Sequence, residues 1–359
     1  MKVLILSCNT GGGHNSCGRY IQEELITNNI DSSFLNYFEI VNKTQKDYSN
    51  RVYTKSLGKK GGIFKYIYKV GEAYNKTSIT SPIYVINKQL SKKLYKFIKD
   101  NNYDLVICPH LFPAQALTEI KKHHDINFIF VDTDYEVHPF TNEVEADYYV
   151  IPKGIEDKFI NKGLNKNKLL PLGIPISSNY INSAKDIKNE LNTNKKIVLI
   201  LLGSMGFGTI EEIIPDLLNI KDAYYIIVCG RNKKLYTELQ KYNNNSLKVL
   251  GFTKNINDLI KTSDIVISKP GGLSSTEITS FRKGLIHIFP IPGVETSNTE
   301  FFSKHNLSLV ANNKEELIEY INTLLHNEKI YNKMINSQKE YISSTSAKDL
   351  IEFIKNNFK

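Results

Sequence analysis

Cysteine is scarce. There are four in 359 residues, Cys8, Cys17, Cys108 and Cys229, and none stands at metal-ligand spacing from another. Cys8, Cys108 and Cys229 end apolar runs, where a thiol behaves as a small hydrophobe. A reduced cytosol fits this usage better than a secreted disulfide framework. Long apolar runs are also missing. None reaches the length of a transmembrane helix. Lys2–Leu6 is too short for the apolar core of a signal peptide and has no small-residue cleavage site after it. The expectation is a cytoplasmic chain whose membrane contact is peripheral. Ser-His-Asp catalysis lacks its nucleophile elbow, and His123-His124 has no partnered carboxylate at a zinc spacing. No recognisable RNA-binding module occurs, which sets nucleic acid aside as a partner.

What is present is basic. The formal net charge is +9, which favours an anionic partner such as a phosphorylated substrate or an acidic membrane. Much of the excess lies in Lys43–Lys99. There Lys59, Lys60, Lys65, Lys69 and other lysines face only Asp47 and Glu72, with Phe64, Tyr66, Tyr68 and Tyr74 interleaved. A basic helical insert studded with aromatics can lie on an anionic bilayer surface. It can also be a solvated face over an ordinary core stripe.

The length suits two domains. Lys2–Ser7 is a β-rich run ending in Thr10-Gly11-Gly12-Gly13-His14. A helix follows with Cys17, Ile21 and Leu25 on one stripe, capped by Asn15 or Ser16. Ser33–Phe38, Asp104–Cys108, Phe128–Val131, Tyr148–Ile151 and Leu169–Leu172 are further strand candidates. The polar stretch from Asn179 reads as a linker. Then the rhythm restarts: Ile197–Leu202, the glycine loop Gly203–Gly208, a helix, Tyr224–Val228, Leu247–Phe252, Asp264–Lys269 and Leu285–Phe289. Strand, glycine loop, helix, twice over, predicts an α/β protein of two doubly wound domains facing across a cleft, 1–178 and 179–340. A C-terminal helix, 341–359, is expected to return to the first domain. A break is expected at Ser343–Ser346.

Lys269-Pro270-Gly271-Gly272 ends a strand and feeds a helix opened by Ser274. A glycine loop at a helix N-terminus suits a phosphate, and it is equally an ordinary tight turn. Glu277, three residues after Ser274, reads as a ligand contact or as a capping box. The loop Ile291–Asn298 adds Glu295 and Asn298, and parallel strands deliver both loops to one sheet edge. His14 is either a general base or a histidine hydrogen-bonded at a helix start. Asp132-Thr133-Asp134 invites a metal, or is a polar turn. The reading preferred is acceptor-side work for Asp134 and His138, with no metal.

In order along the chain, these motifs resemble a known family. They are TGGGH (Thr10–His14), VDTDYEVHPF before DYYVIP, LGIPISSNY (Leu172–Tyr180), LLGSMGFG, VCGRN, GFTKNINDL, and KPGG…STE…PIPGVETSN. The chain resembles bacterial processive diacylglycerol glucosyltransferases and plant monogalactosyldiacylglycerol synthases. More distantly it is similar to the N-acetylglucosaminyltransferase that forms lipid II. The resemblance implies a GT-B enzyme of two Rossmann-like domains, with a lipid acceptor and membrane on the first and a UDP-sugar on the second. No cofactor or metal is expected beyond the UDP-sugar donor.

Carried over, Phe252 and Thr253 contact uracil, and Glu277 holds the ribose. Gly271 and Gly272 face the phosphates, bordered by Gly203, Ser204, Gly206 and Arg231. Glu295 and Asn298 meet the sugar. Gly12, Gly13, Pro270, Ser274 and Ser275 complete the donor set. His14 and Asp134 are the catalytic pair, with Asp134 and His138 toward the acceptor. Relatives commonly read Pro-Gly-Gln-Glu where this chain has Pro-Gly-Val-Glu, and Val294 cannot hydrogen-bond a sugar hydroxyl. The function implied is inverting transfer of a hexose, expected to be glucose, to diacylglycerol or a glycosyl-diacylglycerol at the inner face of the cell membrane. The alternatives are N-acetylglucosaminyl transfer to a polyprenyl-diphosphate lipid, or a UDP-sugar sensor without turnover.

Overall fold

The computed structural model describes residues 1–8, 12–41, 81–201, 210–288, 290 and 293–358. Two compact units divide the chain. Met1–Asn179 and the stretch from Thr345 form the first, and most of Tyr180–Ser344 forms the second.

The first unit holds β1 (Lys2–Ser7), β2 (Asp31–Asn36), β3 (Leu105–Cys108), β4 (Asn127–Val131), β5 (Tyr148–Val150) and β6 (Leu169–Leu170) in the order β2-β1-β3-β4-β5-β6. Every pairing is parallel, with Ile5 opposite Phe34 on one side and Ile107 on the other. Parallel sheets are covered on both faces, so their strands are continuously apolar. Val3, Leu4, Ile5 and Leu6 are all fully buried. Each such side chain contributes about 1.5–3 kcal/mol of burial free energy. Between β1 and β2 the helix Gly12–Thr27 lays Cys17, Ile21 and Leu25 on the sheet. It starts at Gly12, so Asn15 and Ser16 lie inside its first turns and do not cap it. The predicted strand Ser33–Phe38 ends at Asn36. Tyr37–Val41 turns helical, because Tyr37, Phe38 and Val41 are buried at helical spacing.

The second unit holds β7 (Lys196–Leu201), β8 (Ala223–Val228), β9 (Leu247–Leu250), β10 (Ile265–Ser268), β11 (Gly284–Ile288) and β12 (Leu309–Ala311), also all parallel, in the order β12-β11-β10-β7-β8-β9. In each sheet the chain starts in the middle, winds one way, then returns and winds the other. The reversal falls between β1 and β3 in one sheet and between β7 and β10 in the other. Ligands of open α/β sheets bind at such switch points, beyond the carboxyl ends of the strands.

After β12 come the helices Lys314–His326 and Glu328–Tyr341, capped by Asn313 and Asn327. The chain breaks after Tyr341 and resumes as the helix Ser346–Asn357. That helix packs on Gly12–Thr27 in the first unit. Ser346, fully buried, locks it there. Its hydroxyl donates to the Ile174 carbonyl at 2.8 Å and accepts the Ile176 N–H at 3.1 Å. Among the described residues, no helix is long and apolar enough to cross a membrane. Ser346→Ala leaves a buried carbonyl and a buried N–H unpaired, so it should destabilise the first unit by about 1–3 kcal/mol. Urea unfolding checks this, and a change within error would show that the helix is held elsewhere.

Candidate active site

In the first unit the polar side chains gather after β1, β3 and β4. His14 Nδ1 lies 2.8 Å from Thr133 Oγ1, just beyond β4. The His14 ring meets His110, just beyond β3, edge to face at 4.8 Å. His110 in turn caps the helix Leu111–Lys121, accepting the Phe112 N–H at 3.2 Å. His138 likewise accepts the Phe140 N–H at 3.3 Å and caps the short helix Pro139–Glu143. The two histidines that meet are those following the switch-point strands.

Burial decides their charge. It lowers His14 below the ordinary imidazole value, while Asp134 and the Pro109 carbonyl act the other way. His110 is held well below it by burial and by the neighbouring His14 and His138. Burial, with His14 and Lys162, pushes His138 down to about 4. Near neutral pH these rings are uncharged, the form in which an imidazole accepts a proton. Asp132 shifts in the opposite sense. Burial, then repulsion from Asp134, raises its carboxyl well above the usual range. One of its oxygens accepts the Asp134 N–H at 3.2 Å. Its buried Oδ2 has no hydrogen-bond partner among the described residues. Within the Asp-Thr-Asp segment, Asp132 is thus the buried member with the raised carboxyl, and Asp134 acts on His14 through its charge. Among the described residues no three His, Cys, Asp or Glu side chains cluster as metal ligands.

In the second unit, four loops leave the same sheet edge. After β8, Gly230 takes a positive φ of 59° that turns the chain into Arg231. After β9 comes Phe252, 61% exposed. The Arg231 guanidinium sits 5.4 Å over its ring. An exposed aromatic face backed by a cation suits a flat heterocycle. Thr253 Oγ1 accepts the Asn255 N–H at 3.1 Å, which shapes the same loop. After β10 the helix Gly272–Ser280 begins on Gly271, and no side chain caps its first turn. The Ser274–Glu277 capping box therefore does not form. The helix starts three residues earlier than that box requires, leaving Ser274 exposed and Glu277 half-buried in its second turn. An N-terminus without a side-chain cap presents backbone N–H groups and the positive end of the dipole. After β11 comes Glu295, whose charge acts on Lys269.

Burial takes the side chains of two of the expected donor residues inside the unit. Ser275 is fully buried, and its hydroxyl lies 2.9 Å from His287 Nε2 inside the unit. Asn298 is fully buried too, and its amide donates to the Pro270 carbonyl at 3.0 Å. Both hold the loops that would hold a ligand. Gly12 and Gly13 are exposed at the start of their helix, and Pro270 is buried between β10 and Gly271. Gly203, Ser204, Gly206 and the basic stretch from Lys43 to Thr80 lie outside the described residues. The sequence reading passed over Thr133, His110 and Lys269. His110 had a usable signal, since it follows the apolar run of β3 as His14 follows that of β1. Lys269 had one as well, a cation at the mouth of a glycine loop.

Two parallel doubly wound units in sequence, with nucleotide-suited loops on the second, define the GT-B fold. Comparison with known proteins agrees. Residues 14–176 match the model of the monogalactosyldiacylglycerol (MGDG) synthase family, and residues 197–353 match the glycosyltransferase family 28 C-terminal domain. The first part of the chain thus carries an MGDG-synthase domain and the second a family 28 C-terminal domain. It is 27% identical to the processive diacylglycerol beta-glucosyltransferase of Bacillus subtilis and 29% identical to that of Bacillus licheniformis. Each match covers 98% of this chain and 94% of the relative. The crystal structure of MurG from Acinetobacter baumannii superposes with a TM-score of 0.67 at 14% identity, over 99% of this chain and 100% of that one, which speaks to the fold.

The depressed His138 value carries a stability consequence. A histidine held near 4 when folded and near 6.5 when unfolded takes up protons on unfolding between those values. Its contribution is fully present above about 6.5 and is lost as the pH falls toward 4. Urea midpoints measured across that window should decline with acid, and His138→Gln should make the decline shallower. An unchanged slope in the variant would show that His138 titrates normally.

Proposed function

We propose that this enzyme transfers a hexose, glucose as the expected sugar, from a UDP-sugar to the hydroxyl of diacylglycerol or of a glycosyl-diacylglycerol. The observation that carries the reading is the succession of an MGDG-synthase domain and a family 28 C-terminal domain across nearly the whole chain. The full-length relatives named as processive diacylglycerol beta-glucosyltransferases support the same acceptor and a β-linked product.

In this reading the acceptor oxygen attacks the anomeric carbon as the bond from that carbon to the UDP oxygen breaks. The acceptor proton passes to His14, neutral beforehand, and the charge of Asp134 steadies the imidazolium. The departing diphosphate gains negative charge. The backbone N–H groups at the start of Gly272–Ser280 and the ammonium of Lys269 take it up. Phe252, with Arg231 behind it, receives the uracil, and Glu277 the ribose hydroxyls. Glu295 faces the sugar. The basic character of the chain, +9 overall, supports a peripheral station on an anionic inner leaflet, where diacylglycerol resides. No metal has a part in these steps.

The test is product analysis with labelled UDP-glucose and diacylglycerol in mixed micelles. Glucosyl-diacylglycerol is expected, and label appearing only on a polyprenyl-diphosphate lipid would overturn the acceptor. His14→Ala should lower kcat by roughly a hundredfold or more, the scale of general base catalysis. Glu277→Ala should act mainly on the donor KM. EDTA should leave turnover intact, and abolition restored by Mg²⁺ would place a metal in the mechanism.

A further inference from the structure

The helix Gly272–Ser280 has an unusual inner face. Ser275, Thr276, Thr279 and Ser280 are all buried there, with Leu273 and Ile278 as its apolar members. Apolar contacts are non-directional, so two of them leave a helix free to slide or rotate slightly. Hydroxyls can fix it only if they reach off the helix. Those of Thr279 and Ser280 turn back on carbonyls of their own helix, at 2.6 Å to Ser275 and 2.7 Å to Thr276. Ser275 reaches the sheet.

Its partner, His287, lies one residue from the end of β11 and is fully buried. His287 Nε2 is 2.9 Å from Ser275 Oγ, and Nδ1 is 3.1 Å from Ser308 Oγ, just before β12. Its ring packs on buried Phe302, at 5.1 Å between centroids. Phe302 belongs to the helix Val294–Lys304, which carries Glu295. One side chain thus touches the helix of Glu277, the helix of Glu295 and the approach to β12. Burial pushes His287 down to about 3, so the ring is neutral, with one nitrogen donating and the other accepting. Both serine hydroxyls can complete that arrangement in either tautomer.

We propose that His287 is a positioning residue for the donor site: through Ser275 it sets the rotation and depth of the helix that presents Gly271, Gly272 and Glu277, and through Phe302 it holds the neighbouring helix that presents Glu295. The inference rests on the UDP-sugar reading above and adds a residue that touches no substrate. Its reach is physical. Ser275 is two residues from Glu277 on a rigid turn, and a shift of about 1 Å in a substrate-positioning group can cost a hundredfold in rate. The effect falls on donor binding, because every element His287 touches is in the donor unit.

The experiment measures UDP affinity by titration calorimetry, donor and acceptor KM, and melting temperature, for the full chain and four variants. His287→Leu leaves two buried serine hydroxyls without their partner and should weaken UDP binding and raise donor KM by roughly tenfold, with acceptor KM unchanged. His287→Gln, whose amide reaches as far as Nε2, should recover most of the loss. Ser275→Ala should reproduce the loss in a fold that tolerates it, and the His287→Leu, Ser275→Ala double variant should lose little more than either single one. Variants that melt lower yet bind UDP as the wild type does would overturn the inference, leaving His287 a core residue. Equal rises in donor and acceptor KM would also overturn it. Wild-type protein that binds no UDP would overturn the functional reading and the inference with it.

Discussion

Parallel strands cannot be joined by tight turns. Each must be followed by a crossover, and every crossover begins at the same edge of its sheet. That constraint places nearly everything of chemical interest in this protein. In the first unit it brings the segments after β1, β3 and β4 together, and with them His14, His110 and Thr133. In the second it stacks the exits of β8, β9, β10 and β11 along one edge, so Arg231, Phe252, Gly271 and Glu295 share a side although the sequence spreads them over dozens of residues. The reversal of winding then parts two neighbouring loops in each sheet, and the glycine-rich segments fall at those partings.

Burial does the second part of the work, by deciding which groups carry charge. Three histidines in the first unit and His287 in the second are held neutral by desolvation. The Asp132 carboxyl is raised by the same cause. Two carboxylates two positions apart thus sit in different surroundings, Asp132 buried and Asp134 acting on the His14 imidazole. Such divergence within a short polar segment is what acid-base chemistry needs from a scaffold. Lys269 also loses some basicity to burial, and Glu295 opposes that loss.

The places where local pattern and tertiary placement part share a cause. Ser274-x-x-Glu277 has the form of a capping box, yet the helix starts at Gly272, because the strand before it ends early enough for Gly271 to turn the chain. Asn15 and Ser16 looked like caps for a similar reason, and the helix simply begins sooner, at Gly12. Ser275 and Asn298 have the right residue types for ligand contacts and lie inside the right motifs. Their side chains point inward, toward His287 and Pro270. A helix turns about 100° per residue, so an error of one or two positions in its start moves a side chain from the ligand to the core. Local pattern rarely settles a boundary that closely.

The sequence by itself determined the sheets, their apolar strands, the succession of two doubly wound units, and the family resemblance, since these follow from periodicity and from motifs in order. It also marked His14, Glu277 and Glu295 as polar groups in glycine-bearing loops. Only the tertiary structure decided that His14 meets His110 and Thr133, that Asp132 is buried with its carboxyl raised, and that His287 touches two helices. Those facts depend on which side chains face each other across distant segments and how far water is excluded from them, and neither is written in the spacing of residues along a chain.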